Sequence, residues 1–595
     1  MRIPALPAVV FLALLAAGTL SNLICASRAG ATVWLQPPPV LPTPSRSGPE
    51  GPPRPFGTEP QPGAEPAPTG RGLTRAQNRA LLFGPFPRGG LMRGVSEGTL
   101  LLDENPQVRE LALTRIRDAT ARTVRIPVDW RDFVAAAPPA SFDASDPADP
   151  AYRVAALDAA VESAAAAGLE PLLVVSHAPA FAEAPHRWPY AYPGSWAPSP
   201  AALEEFAAAI ARRYDGSFPD PLASGRVLPR VRLFQAWNEP NLARYLEPQW
   251  VAQEGHWSAF SPLLYRQLLN SFYNGVKSVQ PADTVVAAGV APNGEPAGVG
   301  RMAPVTFLRE VLCLGSADSP AARSPARRSG AVSRASGAVT HTSSVSCPEP
   351  PHFDVLAFHP LSVGDPDLPA ESSLDVSISD VAKITGLLKQ AERDGTALPA
   401  GAKPVWVTEL NWESAPQAPA GVPARLQAQW ISRALHRLWV AGVGLVDWQF
   451  LVDPYPAERA NTPTGGIVEY QRPAGLYSAG IGGNPESARP KPFLGGFTFP
   501  FDPLRVDRKH VRVWALLTGS GQAVLLQRWV LARPRGGVKR GRTGAASWWT
   551  IARLHADSSG VLNVLVSLRG AARLRLKSRA LTSASAAVSV GRRQA

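Results

Sequence analysis

Val231-Arg232-Leu233-Phe234-Gln235-Ala236-Trp237-Asn238-Glu239-Pro240-Asn241 is an apolar run that ends on an amide, a carboxylic acid and a proline. Its apolar and aromatic residues, stopped by a turn-forming residue, have the composition of a buried strand, so Glu239 is expected where that strand gives way to a loop. A second run follows the same plan. Lys403-Pro404-Val405-Trp406-Val407-Thr408-Glu409-Leu410-Asn411-Trp412 again ends a short β-branched and aromatic segment on an acid. Two acids at the C-terminal ends of strands suit a (β/α)8 barrel, whose active sites are built on that face.

The remaining strands can be placed in the same way. Apolar runs at 91–95, 124–128, 172–176, 231–237, 285–289, 355–358, 405–408 and 445–449 make eight candidates, and helical patterns separate most of them. Ser199-Pro200, a capping residue followed by proline at the first helical position, opens a helix over 201–214 whose Leu203, Phe206 and Ile210 recur at helical spacing. Leu426, Trp430, Ala434 and Leu438 form another stripe, and Trp430 and Trp439 are expected in the core. The fold class read from this alternation is α/β, a (β/α)8 TIM barrel over 85–500. Short runs at 511–514, 523–526, 548–551 and 561–564, separated by Gly and Ser turns, add a small all-β, sandwich-like domain over 505–595.

The acid pair has a specific chemical use. Cleaving a glycosidic bond takes one carboxyl to protonate the departing oxygen and a second to stabilise the oxocarbenium-like centre. An Asn beside the acid can bind a sugar hydroxyl as charge develops. Asn-Glu-Pro alone equally describes an ordinary loop, and the second acid gives it weight.

The pair resembles the acid/base and nucleophile of clan A retaining glycoside hydrolases, in the style of families 39 and 5, whose acids lie on barrel strands four and seven. The likeness spans about 92–501. It implies Glu239 as proton donor and Glu409 as nucleophile, with Asn238 on the hydroxyl beside the reacting carbon. Arg125 in Val124-Arg125-Ile126-Pro127 resembles the strand-two arginine that supports the nucleophile. His177 in Ser176-His177-Ala178-Pro179 and His359 in Phe358-His359-Pro360 resemble the histidines of strands three and six. Trp448 in Asp447-Trp448-Gln449 resembles the strand-eight tryptophan that floors the sugar site. For either histidine, a satisfied core group is the alternative. One departure is Leu361, where many relatives carry a tyrosine. The implied function is retaining cleavage of a β-linked glycan or β-glycoside by double displacement, with the charge of Glu409 expected to raise the pKa of Glu239. The alternative is a carbohydrate-binding barrel on the cell surface without catalysis.

Composition supplies the setting. Arg2 precedes an apolar run over 5–20, and Ala29-Gly30-Ala31 offers small residues for cleavage, so 1–31 reads as a secretory signal peptide, with an uncleaved membrane anchor as the alternative. Residues 32–80, dominated by Pro, Gly and Ser, read as a disordered linker. Beyond the leader only Cys313 and Cys347 remain. In an exported protein they read as a disulfide, with two buried thiols as the alternative, and they flank an insertion at 315–346 expected to be mobile. The localisation expected is secreted, or anchored if the leader stays.

The +13 formal net charge is dense near the C-terminus, at Arg533, Arg535, Lys539, Arg540, Arg542, Arg573, Arg575 and Lys577. An anionic cell-wall polymer is a candidate partner there. No nucleic-acid motif accompanies the charge, and nucleic acid is not expected. Gly94-Val95-Ser96-Glu97-Gly98 fits the pattern of serine hydrolases, but the next helical pattern begins near Pro106, too far for a nucleophile elbow. The nine histidines form no H-E-x-x-H pair or Cys-His cluster, so neither a metal nor another cofactor is expected. Aromatic residues follow strand three (His186, Trp188, Tyr190, Tyr192, Trp196) and strand four (Tyr245, Trp250, Trp257). They are enough to line sugar subsites or to pack the loops themselves.

Overall fold

The computed structural model describes residues 72–589 apart from 254, 316–346, 348, 362–363, 419–420, 455–472 and 531–546. The expected leader, most of the linker, nearly all of the 315–346 insertion and the basic run at 533–542 lie outside the described residues. The linker was expected to reach residue 80. Instead a helix, α1 (Arg75–Phe83), begins where Thr74 accepts from the Gln77 amide and the Gln77 side chain accepts from the Thr74 amide. That reciprocal cap satisfies two otherwise orphaned helix-start donors.

Eight strands close a parallel barrel: β1 (Met92–Ser96), β2 (Thr123–Asp129), β3 (Glu170–Ser176), β4 (Leu233–Ala236), β5 (Thr284–Val290), β6 (Val355–Phe358), β7 (Val405–Leu410) and β8 (Val443–Gln449), with β8 pairing back onto β1. Between them run α2 (Pro106–Asp118), α3 (Ala155–Ala166), α4 (Pro200–Arg213), α5 (Ser261–Val279), α6 (Pro304–Val311), α7 (Val381–Asp394) and α8 (Ala424–Val440). Asn105 caps α2 and Ser199 caps α4, each with proline at the helix start. None of the described helices is long and apolar enough to cross a membrane.

Each barrel strand is buried on both sides. Leu172, Leu233, Val286, Val355, Ala357, Trp406 and Leu445 fill the inside, while Leu173, Phe234, Val285, Leu356, Val407 and Val446 face the helices as part of the larger core. The inward phase is therefore set, and on β8 it takes in 445, 447 and 449. Gly94 on β1 keeps that interior tight, since a Cβ there would overlap the Asp447 carboxylate and the Thr123 hydroxyl.

Past a short helix, α9 (Leu494–Thr498), the chain forms two antiparallel sheets. One joins β9 (Phe501–Arg505), β10 (His510–Leu516) and β13 (Val561–Ser567). The other is ordered β12 (Ser547–His555), β11 (Ala523–Val530), β14 (Ala572–Lys577), β15 (Ala586–Val588). Val511, Val513, Val524, Leu526, Leu574 and Leu576 share one core between the sheets, the layered arrangement expected for this domain. Its first strand opens at Phe501, slightly ahead of the expected 505. Asp502 on β9 is held by His436 (2.8 Å) and Arg437 of α8, and the His436 ring stacks on Trp514 with centroids 4.7 Å apart. A charged knot and an aromatic stack thus join the β domain to the barrel's outer layer.

Candidate active site

Glu239 lies just past β4 and Glu409 on β7, and the structure brings them together. Selected side-chain ligand atoms of Glu239, His359 and Glu409 all lie within 4.8 Å of one another. Backbone geometry aims both acids. Trp237 and Glu239 adopt left-handed φ values of 70° and 40°, and the Glu239 amide donates to the Gly289 carbonyl (3.1 Å), so the chain turns at the strand end. Along β7 the pairing with β8 slips between Val407–Val446 and Leu410–Trp448, leaving two residues of β7 opposite one of β8. That bulge lets Thr408 and Glu409, neighbours in sequence, both reach His359.

Arg125, fully buried, organises the cluster. Its Nη1 lies 2.7 Å from Glu409 Oε1 and 3.2 Å from Ser96 Oγ, its Nε donates to Gln235 Oε1 (3.0 Å) and its Nη2 to Asn238 Oδ1 (2.6 Å). Charge-assisted bonds of this kind are strong and hold the planar guanidinium in one orientation. They also orient Asn238, whose carbonyl end is taken by Arg125. Ser96, the serine of the Gly94 to Gly98 pattern, serves this arginine.

His359 bridges the two acids. Its Nδ1 is 3.0 Å from Glu239 Oε1 and 3.7 Å from Glu409 Oε2, and its Nε2 is 2.9 Å from Thr408 Oγ1. Burial pushes its pKa down to about 4; Glu409 opposes that shift and Arg125 adds to it, so the ring is neutral at physiological pH. Gly289, with φ of 76°, gives the ring room: a Cβ there would come within 2.8 Å of His359 Nε2.

His177 sits apart from this cluster. Its Nδ1 is 3.2 Å from Asp129 Oδ2, a carboxylate that also holds Arg131 (3.1 Å), and its ring lies 5.2 Å from Tyr192 and 5.1 Å from Tyr245. Its Nε2 is buried without a partner among the described residues. With Tyr192 and Tyr245 it forms an aromatic wall from the loops after β3 and β4. Trp188 packs on Trp196 at 4.8 Å, so those two loop tryptophans support each other.

Trp448 does not take the expected place. The barrel's inward phase on β8 belongs to Leu445, Asp447 and Gln449, so Trp448 points outward, 0% exposed, between Trp412, Phe493 and Phe497, with its Nε1 on the Ala474 carbonyl (2.9 Å). A ring closed in on this scale offers no face to a sugar. The inward residue at the end of β8 is Gln449, half-buried and accepting from Asn411 Nδ2 (2.9 Å).

Burial raises the Glu239 carboxyl to about 7 against the pull of Arg125, Arg244 and Arg301. The cause is desolvation, where the sequence suggested the charge of Glu409. Three further carboxyls behave alike. Burial lifts Asp447 to about 7, opposed by Arg125 and by the Thr123 hydroxyl (3.1 Å), and with Glu409 adding to the rise. It also lifts Glu97, despite amide bonds from Leu100 and Leu451, and Glu247, each to about 7. Gln235, Thr408 and Asp447 were not picked out from sequence, and Ser96 was weighed only as a serine-hydrolase nucleophile. Gln235 and Asp447 left a signal, a polar residue inside an apolar strand.

These carboxyls make a thermodynamic prediction. Each holds its proton in the folded chain up to about pH 7, but in the unfolded chain only to about 4.5 for Glu or 3.8 for Asp. The folded state therefore binds more protons, and the associated stability is lost as pH rises through 7. His359 and His436, lowered by burial, act in the opposite sense only below their ordinary 6.5. The melting temperature is expected to fall between pH 6.5 and 8.5, by differential scanning fluorimetry in matched ionic strength. A flat or rising Tm over that range would contradict the assignment.

Glu239, His359 and Glu409 form a donor set that could hold a small cation. Arg125 already places a positive charge 2.7 Å from the same Glu409 carboxylate, which works against a second cation there.

The chain matches no protein-family model and no curated protein. Among solved structures it is similar to a family 39 glycoside hydrolase from Bacteroides cellulosilyticus (17% identity, 81% of each chain covered, TM-score 0.43). It is also similar to a family 39 β-xylosidase from Caulobacter crescentus (13%, 77% of this chain and 84% of that one, TM-score 0.40). A third is a family 30 endoxylanase from Clostridium papyrosolvens (12%, 81% and 95%, TM-score 0.39). Likenesses this distant leave the chemistry to be argued from the barrel and its side chains.

Proposed function

We propose that the protein is an exported retaining glycoside hydrolase acting on a β-linked glycan or β-glycoside. The observation that carries this reading is the spacing of the acids. Retaining enzymes keep their carboxyl groups about 5–5.5 Å apart, whereas inverting ones leave about 6.5–9.5 Å for a water molecule. One oxygen of Glu239 and one of Glu409 lie within 4.8 Å of each other, a close approach that suits a pair acting from the two sides of one anomeric carbon by double displacement.

In the first step the Glu409 carboxylate, oriented by Arg125, attacks the anomeric carbon, and Glu239 gives its proton to the departing oxygen. The products are a glycosyl ester of Glu409 and the free leaving-group alcohol. In the second step Glu239, now a carboxylate, takes a proton from water as the water oxygen displaces Glu409. The sugar leaves with its original anomeric configuration, and both acids regain their starting states.

His359 helps in its neutral form. With Nδ1–H donated to Glu239 Oε1 and the Thr408 hydroxyl donated to Nε2, the catalytic proton of Glu239 stays on the other oxygen, free for the leaving group. Asn238, its carbonyl occupied by Arg125, presents its amide nitrogen to a sugar hydroxyl. Gln449 takes over the inward position first given to Trp448. The Cys313–Cys347 disulfide supports the exported setting.

The test is a panel of 4-nitrophenyl β-glycosides (xyloside, glucoside, mannoside, galactoside) and β-glucan, xylan and mannan, with the anomer of the first product read by NMR. Turnover of at least one with a β-anomer formed first is expected. An α-anomer formed first would overturn the double displacement.

A further inference from the structure

Residues 501–595 contain eighteen Lys and Arg against three Asp and no Glu, a net +15 that exceeds the +13 of the whole chain. The charge is thus a property of the β domain, and the sheet register shows where part of it lies. Val524, Leu526, Leu574 and Leu576 point into the domain core, so the alternate residues of β11 and β14 share the outer face. Across that face the pairing lines up three rows. Arg553, Leu525 and Lys577 lie side by side, then Thr550, Gln527 and Arg575, then Trp548 and Trp529. The rows are spread over about 14 Å along the strand direction, at about 3.4 Å per residue.

The rows are ordered rather than merely adjacent. Trp529, 37% exposed, lies against Trp548 with ring centroids 5.1 Å apart. The Arg575 guanidinium sits 4.3 Å over the Trp548 ring, and its Nε donates to Gln527 Oε1 (2.9 Å). At the other end Arg553 and Lys577 line a pocket of about 640 Å³ together with Leu525, Arg579 and Leu581. Among the described residues none of Arg553, Arg575, Lys577 and Arg579 pairs with a carboxylate, so their charge is offered outward.

We propose that this outer face is a binding surface for an anionic polysaccharide of the uronic acid type. Such a polymer repeats, ring after ring, an apolar C–H face and a carboxylate. Tryptophan faces match the first and forked guanidinium groups the second. Charge alone would suit any polyanion; the choice of a glycan over a nucleic acid rests on the glycosidase reading of the barrel.

The test measures binding of the full-length chain to polygalacturonate by isothermal titration calorimetry. Single-stranded DNA, polyglutamate and neutral xylan serve as competitors. Polygalacturonate is expected to bind tightest and to weaken steeply with added salt. The double variant Trp529→Ala/Trp548→Ala and the triple variant Arg553→Ala/Lys577→Ala/Arg579→Ala should each weaken binding tenfold or more. Both should keep wild-type turnover of a small aryl glycoside, which also reports that they fold. Polyglutamate binding as tightly as polygalacturonate would reduce the surface to plain charge and overturn the proposal. Tighter DNA binding would overturn it in favour of a nucleic-acid surface, and binding unchanged in both variants would place the ligand elsewhere. Because the wild-type protein is assayed separately on aryl glycosides, failure here and failure of the glycosidase reading are distinct results.

Discussion

Glu409→Gln is expected to lower kcat/KM on a 4-nitrophenyl β-glycoside by on the order of 10⁴-fold or more, the scale seen when a covalent nucleophile is removed. Glutamine is the informative choice because its oxygen can still accept from Arg125 Nη1, now 2.7 Å from the carboxylate. Alanine would leave that buried guanidinium without its counter-charge, and some of the loss would then be instability. The distinctive result comes from Glu409→Ala with added azide. The small anion can enter the space left by the carboxylate and attack from the opposite side, leaving a glycosyl azide of inverted configuration. Activity within tenfold of wild type in Glu409→Gln, with folding confirmed by circular dichroism, would remove Glu409 as nucleophile.

For Glu239→Gln the expected loss is about 10²–10⁴-fold on glycosides with alkyl leaving groups, the usual worth of a positioned general acid. Loss should be much smaller in the first step for an acidic nitrophenol, which departs without a proton. The pH profile gives a second readout. Burial lifts the Glu239 carboxyl to about 7, so it carries the needed proton below that pH and loses it above. Wild-type kcat/KM should therefore decline as pH rises through 7. In Glu239→Gln that alkaline limb should vanish, since the amide does not titrate. A limb that survives the substitution belongs to another group, with buried Asp447, also raised to about 7, as the first to examine.

Much of the barrel was legible because parallel strands buried on both sides read as continuous apolar runs. All eight expected runs coincide with barrel strands, within a residue or two at most boundaries. That same double burial hid which way each side chain points. Val446-Asp447-Trp448-Gln449 does alternate, but its polar residues take the barrel interior, where the site lies, so Trp448, expected inside, packs outward against Phe493 and Phe497. The hairpin of 250–253 and 256–259 was read only as aromatic loop, because four-residue strands leave too short a pattern.

The chain by itself determined the eight-strand alternation, the two acids at strand ends and the following β domain, since these follow from local composition and spacing. Tertiary structure decided what distance and direction decide. The bulge on β7, the left-handed turn at Glu239, the four bonds that fix Arg125 and the neutral His359 between the acids all depend on contacts between residues far apart in sequence. The same is true of Glu239's raised pKa. Desolvation belongs to the folded interior, and no local pattern of residues records it.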